Sequence, residues 1–222
     1  MDPRTVLKHV DHTLLRPDAT REEIQTLCRE ALEYGCASVC IHSYRISDAY
    51  EVLLGAIPIC TVVGFPLGAN TMAAKLYEAK NAISLGAQEV DMVANIGAFK
   101  DGRLKEVEDE IAVIREALGG RILKVIIEAC LLTDEEKALM CRVIENGGGH
   151  YVKTSTGFGA GGATEHDVKL LVRESAGRLK VKAAGGIRTY EDMERFLSLG
   201  ADRLGCSSAV RIVREMERAQ RG

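Results

Sequence analysis

Eight apolar, β-branched runs recur along this chain, each separated from the next by a loop, a helix-period segment and a glycine. The runs cover residues 10–14, 38–41, 58–63, 89–94, 123–129, 151–156, 180–184 and 203–206. The helical segments between them open with capping chemistry. Thr20 with Glu23 and Thr133 with Glu136 have the T-x-x-E spacing that satisfies free amides at a helix start, and Thr164 with Asp167 and Thr189 with Asp192 are weaker forms of it. Gly35, Gly86, Gly147 and Gly200 stand where a left-handed residue would close a helix just before a strand. A short N-terminal helix through Val6 and His9 precedes the first run. Repetition of this unit without a low-complexity linker predicts an α/β fold, a single-domain (β/α)8 TIM barrel spanning 1–222. An open doubly wound sheet is the alternative. The barrel is preferred because the glycine-rich turns follow late strands, whereas a dinucleotide-binding turn usually follows the first.

Composition narrows the function classes. Hydrophobic residues make up 46% and charged residues 27%, as in a soluble protein with a sizeable core, and the net charge of −3 gives no bulk attraction to nucleic acid or membrane. The N-terminus lacks a signal-peptide pattern, and no apolar run reaches the ~18 residues that span a bilayer. Cys28, Cys36, Cys40, Cys60, Cys130, Cys141 and Cys206 are odd in number and lack C-x-x-C spacing. They read as reduced core thiols, and a cytoplasmic location is expected. The five histidines show no metal-ligand spacing, so no metal centre is expected.

Two runs carry a lysine beside small residues and a glycine-rich turn: Lys153, followed by Thr154, Ser155, Thr156, Gly157, Phe158 and Gly159, and Lys182, followed by Ala183, Ala184, Gly185 and Gly186. Side chains two apart on a strand share a face. If the polar faces of the runs point inward, they gather Asp11, Asp91, Lys124, Lys153 and Lys182, with Thr13 beside Asp11 and Glu128 on the face of Lys124. Such groups are expensive to bury unless they neutralise one another; Lys124 reads as a paired structural lysine. An ordinary lysine, of pKa near 10.4, is a free amine in only about one molecule in two thousand at pH 7. A second ammonium ~5 Å away, at an effective dielectric of ~20, disfavours protonation by ~3 kcal/mol. One lysine of the pair can then act as a nucleophile while the other stays charged and relays protons with Asp91. The residues alone do not say which lysine attacks.

Gly157 with Gly159, Gly185 with Gly186, and Gly205, Cys206, Ser207 and Ser208 follow the sixth, seventh and eighth runs and precede helix starts. Together they supply backbone N–H groups for an anion, and so predict a phosphate-bearing ligand, with Arg188 as a candidate added charge.

These motifs are similar to those of the deoxyribose-phosphate aldolase family, whose members are class I, Schiff-base enzymes. The resemblance runs in order through Val10 to Leu15, Val63 to Gly68, Glu89 to Val93, Val152 to Phe158, Ala184 to Thr189 and Gly205 to Ser208. It implies reversible cleavage of 2-deoxy-D-ribose 5-phosphate to glyceraldehyde 3-phosphate and acetaldehyde, without metal or organic cofactor. By the same resemblance Lys153 forms the Schiff base, Lys182 and Asp91 move protons, and Lys182 favours the free amine of its neighbour. Asp11, Thr13 and Thr156 would position hydroxyls and water; Gly157, Gly185, Gly186, Ser207 and Ser208 would contact phosphate. Barrels of this kind often pair through outer helices, so a homo-oligomer, dimer or tetramer, is expected. The chain departs from the family at Cys40 to Tyr44, where many members have Cys-Val-Asn-Pro, and at its end, where some members carry a tyrosine that reaches the site. Other readings are a Schiff-base barrel for a related phosphosugar and a non-catalytic phosphosugar-binding regulator.

Overall fold

A computed structural model describes residues 3–219. Eight parallel strands close into a barrel in chain order, each paired with the next and the last with the first. They are β1 (Val10–Leu14), β2 (Ser38–Ile41), β3 (Ile59–Val63), β4 (Glu89–Val93), β5 (Ile122–Ile126), β6 (Tyr151–Lys153), β7 (Lys180–Ala184) and β8 (Arg203–Cys206). The helices are α1 (Pro3–Leu7), α2 (Arg21–Tyr34), α3 (Ile46–Leu53), α4 (Met72–Ser84), α5 (Ile96–Lys100), α6 (Leu104–Ala117), α7 (Asp134–Asn146), α8 (Glu165–Ser175), α9 (Tyr190–Ser198) and α10 (Ala209–Ala219). Helix α1 is shorter than expected: it stops at Leu7, and His9 lies in the turn into β1. Residues 220–222, with the C-terminal end discussed above, lie outside the described residues.

The helix starts follow from their threonines. Thr20, Thr133 and Thr189 each accept the amide three residues on, and Glu23, Glu136 and Asp192 bond back to the cap, so all three boxes close. Thr164 accepts the amide of Asp167. At the helix exits Gly35 is left-handed, with φ 66°. Gly147 is not: its φ is −73°, and the left-handed turn falls on Gly148. Gly147 serves packing instead, since a Cβ there would lie 2.7 Å from Ile111 Cγ2 on α6.

Two strands end earlier than the β-branched pattern suggests. Regular pairing stops at Ile126 and Lys153, where residues up to 129 and 156 were expected. Glu128 takes up left-handed backbone, with φ 45° and ψ 67°, which breaks β5. Single bonds from Ala129 N to Thr154 O (2.8 Å) and from Thr154 N to Lys182 O (3.1 Å) hold the continuing chains together.

The apolar core is the shell between barrel and helices, in two parts: one around β1, β2, α2, α9 and α10, the other around β4, β5, α6 and α7. A barrel interior is ordinarily packed with branched aliphatic side chains. In this one the inward positions of β1, β4, β5, β6, β7 and β8 carry charges.

Candidate active site

The strand register sets Asp91 beside Lys124, Lys153 beside Lys182, and Lys182 beside Arg203. Asp11, Asp91, Lys124, Lys153 and Lys182 converge as expected, whereas Glu128 does not. Asp91 Oδ2 receives both Lys153 Nζ (2.8 Å) and Lys182 Nζ (2.7 Å), while Asp91 Oδ1 receives Lys124 Nζ (3.0 Å). Asp11 accepts from Lys182, from Arg203 (2.6 Å) and from Ser38 Oγ (2.7 Å). Lys124 also bonds Glu89. Four cations, Lys124, Lys153, Lys182 and Arg203, thus meet three carboxylates, Asp11, Glu89 and Asp91. One of those cations can release its proton without leaving a carboxylate unmatched.

Burial alone would raise the Asp91 carboxyl, yet Lys124, Lys153 and Lys182 outweigh it and hold Asp91 well below the usual range. Burial is likewise overcome at Asp11, by Lys182, Lys124 and Arg203, and that carboxyl is also held down. At Lys182 burial favours the neutral amine, but Asp11 and Asp91 win and keep the ammonium to higher pH than usual. Lys124 is raised for the same reason, by Asp91, Cys60, Asp11 and Glu89. Asp11, Asp91, Lys124 and Lys182 are therefore ionic at neutral pH. Cys60, which the sequence presents as a core thiol, belongs to this mesh: its Sγ donates to Asp91 Oδ1 at 3.1 Å and meets Lys124 Nζ at 3.4 Å. Burial, the Cys40 contact and Asp91 push this thiol up.

Above the mesh, at the C-terminal ends of β1, β6, β7 and β8, lies a cavity of about 470 Å³. Lys153 lines it; Lys182, fully buried, does not. The two lysines, which the sequence leaves equivalent, differ in access. Thr13, Thr156, Gly157, Gly185, Gly186 and Ser207 line the cavity as well. Thr13 Oγ1 donates to the carbonyl of Asp11. Asp11 itself lies beneath, against Lys182. Ser208 sits off the cavity wall, its Oγ 3.6 Å from Cys206 Sγ. Gly185 and Gly186 have φ of 85° and 78°, backbone that a β-carbon resists. At Gly205 a Cβ would fall 2.9 Å from Ala184 Cβ and 3.3 Å from Lys182 Cε, so only glycine fits there. Among the described residues the amides of Gly157, Gly185, Gly186 and Ser207 donate to no other backbone group. They form a set of free N–H donors around one end of the cavity.

Arg188 is exposed and away from this wall, where its amide bonds Asp192. The cation at the rim is Arg16, which sequence reasoning missed. It sits in the loop after β1 among charged neighbours, paired with Asp18 and Glu23, and no spacing marks it out. Glu128 does not join Lys124. It lies past the end of β5 and turns to Thr156. Ligand atoms of Cys40, Cys60 and Asp91, and of Asp11, Cys60 and Glu89, lie within 4.8 Å of one another. The positive charge these atoms attract is already supplied by Lys124, which touches Asp91, Glu89 and Cys60. No described helix is long and apolar enough to cross a membrane.

Fold and site together define a (β/α)8 barrel with a lysine amine at the mouth of the barrel and free backbone amides along one end of its cavity. The chain belongs to the DeoC/LacD family of aldolases, whose family model matches residues 5–205. A deoxyribose-phosphate aldolase of Clostridium kluyveri is 50% identical over 215 residues, 96% of this chain and 99% of that protein. One of Listeria innocua is 52% identical over 211 residues, covering 94% and 95% of the two chains. Among solved structures, the tetrameric deoxyribose phosphate aldolase of Aeropyrum pernix superposes with a TM-score of 0.91 at 31% identity, over 98% of this chain and 93% of that one.

Proposed function

We propose that this chain is a deoxyribose-phosphate aldolase that works through a Schiff base on Lys153. The observation that carries the reading is that Lys153 is the one amine of the mesh to line the cavity, while sharing Asp91 Oδ2 with the buried Lys182. The amine of Lys153 adds to the aldehyde carbon of open-chain 2-deoxy-D-ribose 5-phosphate, and loss of water gives a protonated imine. Removal of the C3 hydroxyl proton breaks the C2–C3 bond. Its electron pair moves into the imine to give an enamine, and glyceraldehyde 3-phosphate leaves. Protonation of the enamine at C2 and hydrolysis of the imine release acetaldehyde and restore Lys153.

Lys182, kept charged by Asp11 and Asp91, is the proton store, and Asp91 Oδ2 is the bridge from it to Lys153. Asp11 acts through Lys182. Thr13 and Thr156 meet the sugar hydroxyls, and the amides of Gly157, Gly185, Gly186 and Ser207 take the phosphate, with Ser208 opening the helix behind them. Residues 1–222 act as one domain. A homo-oligomer, dimer or tetramer, fits the exposed Tyr50, Leu54 and Tyr77 on the α3–α4 side, and seven unpaired cysteines fit the cytoplasm.

The test is borohydride trapping with deoxyribose 5-phosphate, followed by peptide mass spectrometry. A reduced adduct on the Lys153 peptide is expected, and Lys153→Ala should lower kcat/KM at least about a thousandfold. An adduct on the Lys182 peptide would reverse the two lysine roles; turnover with no adduct on either would end the imine reading.

A further inference from the structure

Among the described residues three that are not glycine have positive φ: Leu54, Glu128 and Ala176. Leu54 and Ala176 close α3 and α8 at their C-terminal ends. Glu128 has no such task. It stands just beyond β5, at the end of the barrel where the cavity opens, and left-handed backbone on a residue with a β-carbon persists only where the surroundings demand it. Its carboxylate is buried, and among the described residues no cation pairs with it. A buried carboxylate needs hydrogen-bond donors, and here they come from one place. Thr156 gives it both its hydroxyl and its amide, the latter at 3.4 Å. Thr156 Oγ1 in turn accepts the amide of Phe158 at 3.1 Å. Gly159 rests on the same carboxylate, where a Cβ would approach Glu128 Cδ to 2.9 Å.

We infer that Glu128 is a positioning residue for the aldol reaction, acting through Thr156 to hold the loop of residues 156–159 in the shape that completes the cavity. This rests on the aldolase reading above. Thr156, Gly157 and Phe158 all line the cavity beside Lys153, whereas Glu128 does not and faces a smaller hollow of about 150 Å³ on the other side of the loop. The Phe158 ring meets Phe65 edge-on, with centroids 5.3 Å apart, so the loop also closes one wall of the site. The left-handed turn at Glu128 is what carries the chain from β5 to the underside of this loop.

Glu128→Gly separates a positioning role from a merely structural one. Glycine adopts the left-handed turn freely, so the unfolding midpoint should be kept or raised while the carboxylate is lost. We expect kcat/KM for deoxyribose 5-phosphate to fall ~10–100-fold, mainly through KM, in keeping with the loss of a charge-assisted hydrogen bond. Amide hydrogen exchange at Thr156 and Phe158 should accelerate at least about tenfold with global stability unchanged. Glu128→Gln keeps an acceptor for the Thr156 amide and a donor for its hydroxyl oxygen, and should recover kcat/KM to within about threefold of the unaltered protein. Turnover at the unaltered level, or unchanged exchange at those two amides in Glu128→Gly, overturns the proposal alone. Absence of both turnover and borohydride adduct in the unaltered protein overturns the aldolase reading and, with it, the reaction Glu128 would serve.

Discussion

Two of the places where lysines are buried in this molecule, between α4 and α6 and inside the barrel, behave oppositely. Between α4 and α6, Lys75 is fully buried, and among the described residues Glu110, at 2.8 Å, is the one carboxylate in ion-pair contact with it, beside the Val93 carbonyl at 2.9 Å. Burial wins there: Lys75 is pulled below the usual lysine range, and Glu110 is pushed above the usual carboxylate range, in spite of their contact. Inside the barrel burial is at least as complete, yet Lys124 and Lys182 are raised and Asp11 and Asp91 lowered. The difference is connectivity. One opposite charge does not offset two desolvations, whereas each aspartate of the mesh meets three cations. A one-to-one pair tethers two helices. A mesh can keep protons available beside a nucleophile, which is what an aldolase floor needs.

The contrast can be broken most forcefully at Lys124. Lys124→Met removes one strand of the mesh and leaves Asp91 and Glu89 short of a partner, so a loss of about 3–5 kcal/mol is expected in urea unfolding. A loss near zero would mean that the remaining cations rearrange and the connectivity argument is wrong.

The next effect is on pH dependence, and the two sites should differ in sign. Asp11 and Asp91 titrate lower when folded than their ordinary 3.8, so the unfolded chain takes up protons first. Their stabilisation is whole above pH 3.8 and is lost as the pH falls below it. Glu110 titrates above its ordinary 4.5 when folded, so its burial destabilises increasingly as the pH rises past 4.5. Unfolding midpoints measured from pH 2.5 to 7 should show a shallower acid loss in Asp11→Asn. In Glu110→Gln the decline above pH 4.5 should disappear. Equal slopes in all three proteins would show that the mesh and the pair are not electrostatically distinct.

The smallest change is expected when the isolated pair is removed whole. Lys75→Met with Glu110→Leu should leave stability within about 1 kcal/mol of the unaltered protein, or raise it, and leave turnover untouched, because two desolvation penalties vanish with one interaction. A loss above about 3 kcal/mol would place Lys75 and Glu110 in a network of the barrel's kind.

The barrel itself was legible in the chain, because strand length, helix capping and helix exits are local properties that the residues carry with them. Thr20, Thr133 and Thr189 close their helices as their spacing implies, and Lys153, Lys182 and Asp91 sit on inward faces because alternation along a strand is geometric. The left-handed role of Gly147 was misread because its absent side chain answers to Ile111, a contact between helices that spacing does not encode. Arg16 went unrecognised, and Glu128 was misplaced beside Lys124, for a related reason. Each acquires its place only when separate loops meet at the barrel mouth.

By itself, then, the sequence determined the eightfold repeat and the strand faces that bring Asp11, Asp91, Lys124, Lys153 and Lys182 together, but not that Glu89 and Arg203 join them. Only closure of the barrel decided that Lys153 opens to the cavity while Lys182 stays beneath it, and that Asp91 Oδ2 joins them. Access and charge balance are sums over neighbours brought together from all eight strands, and no single segment contains that sum.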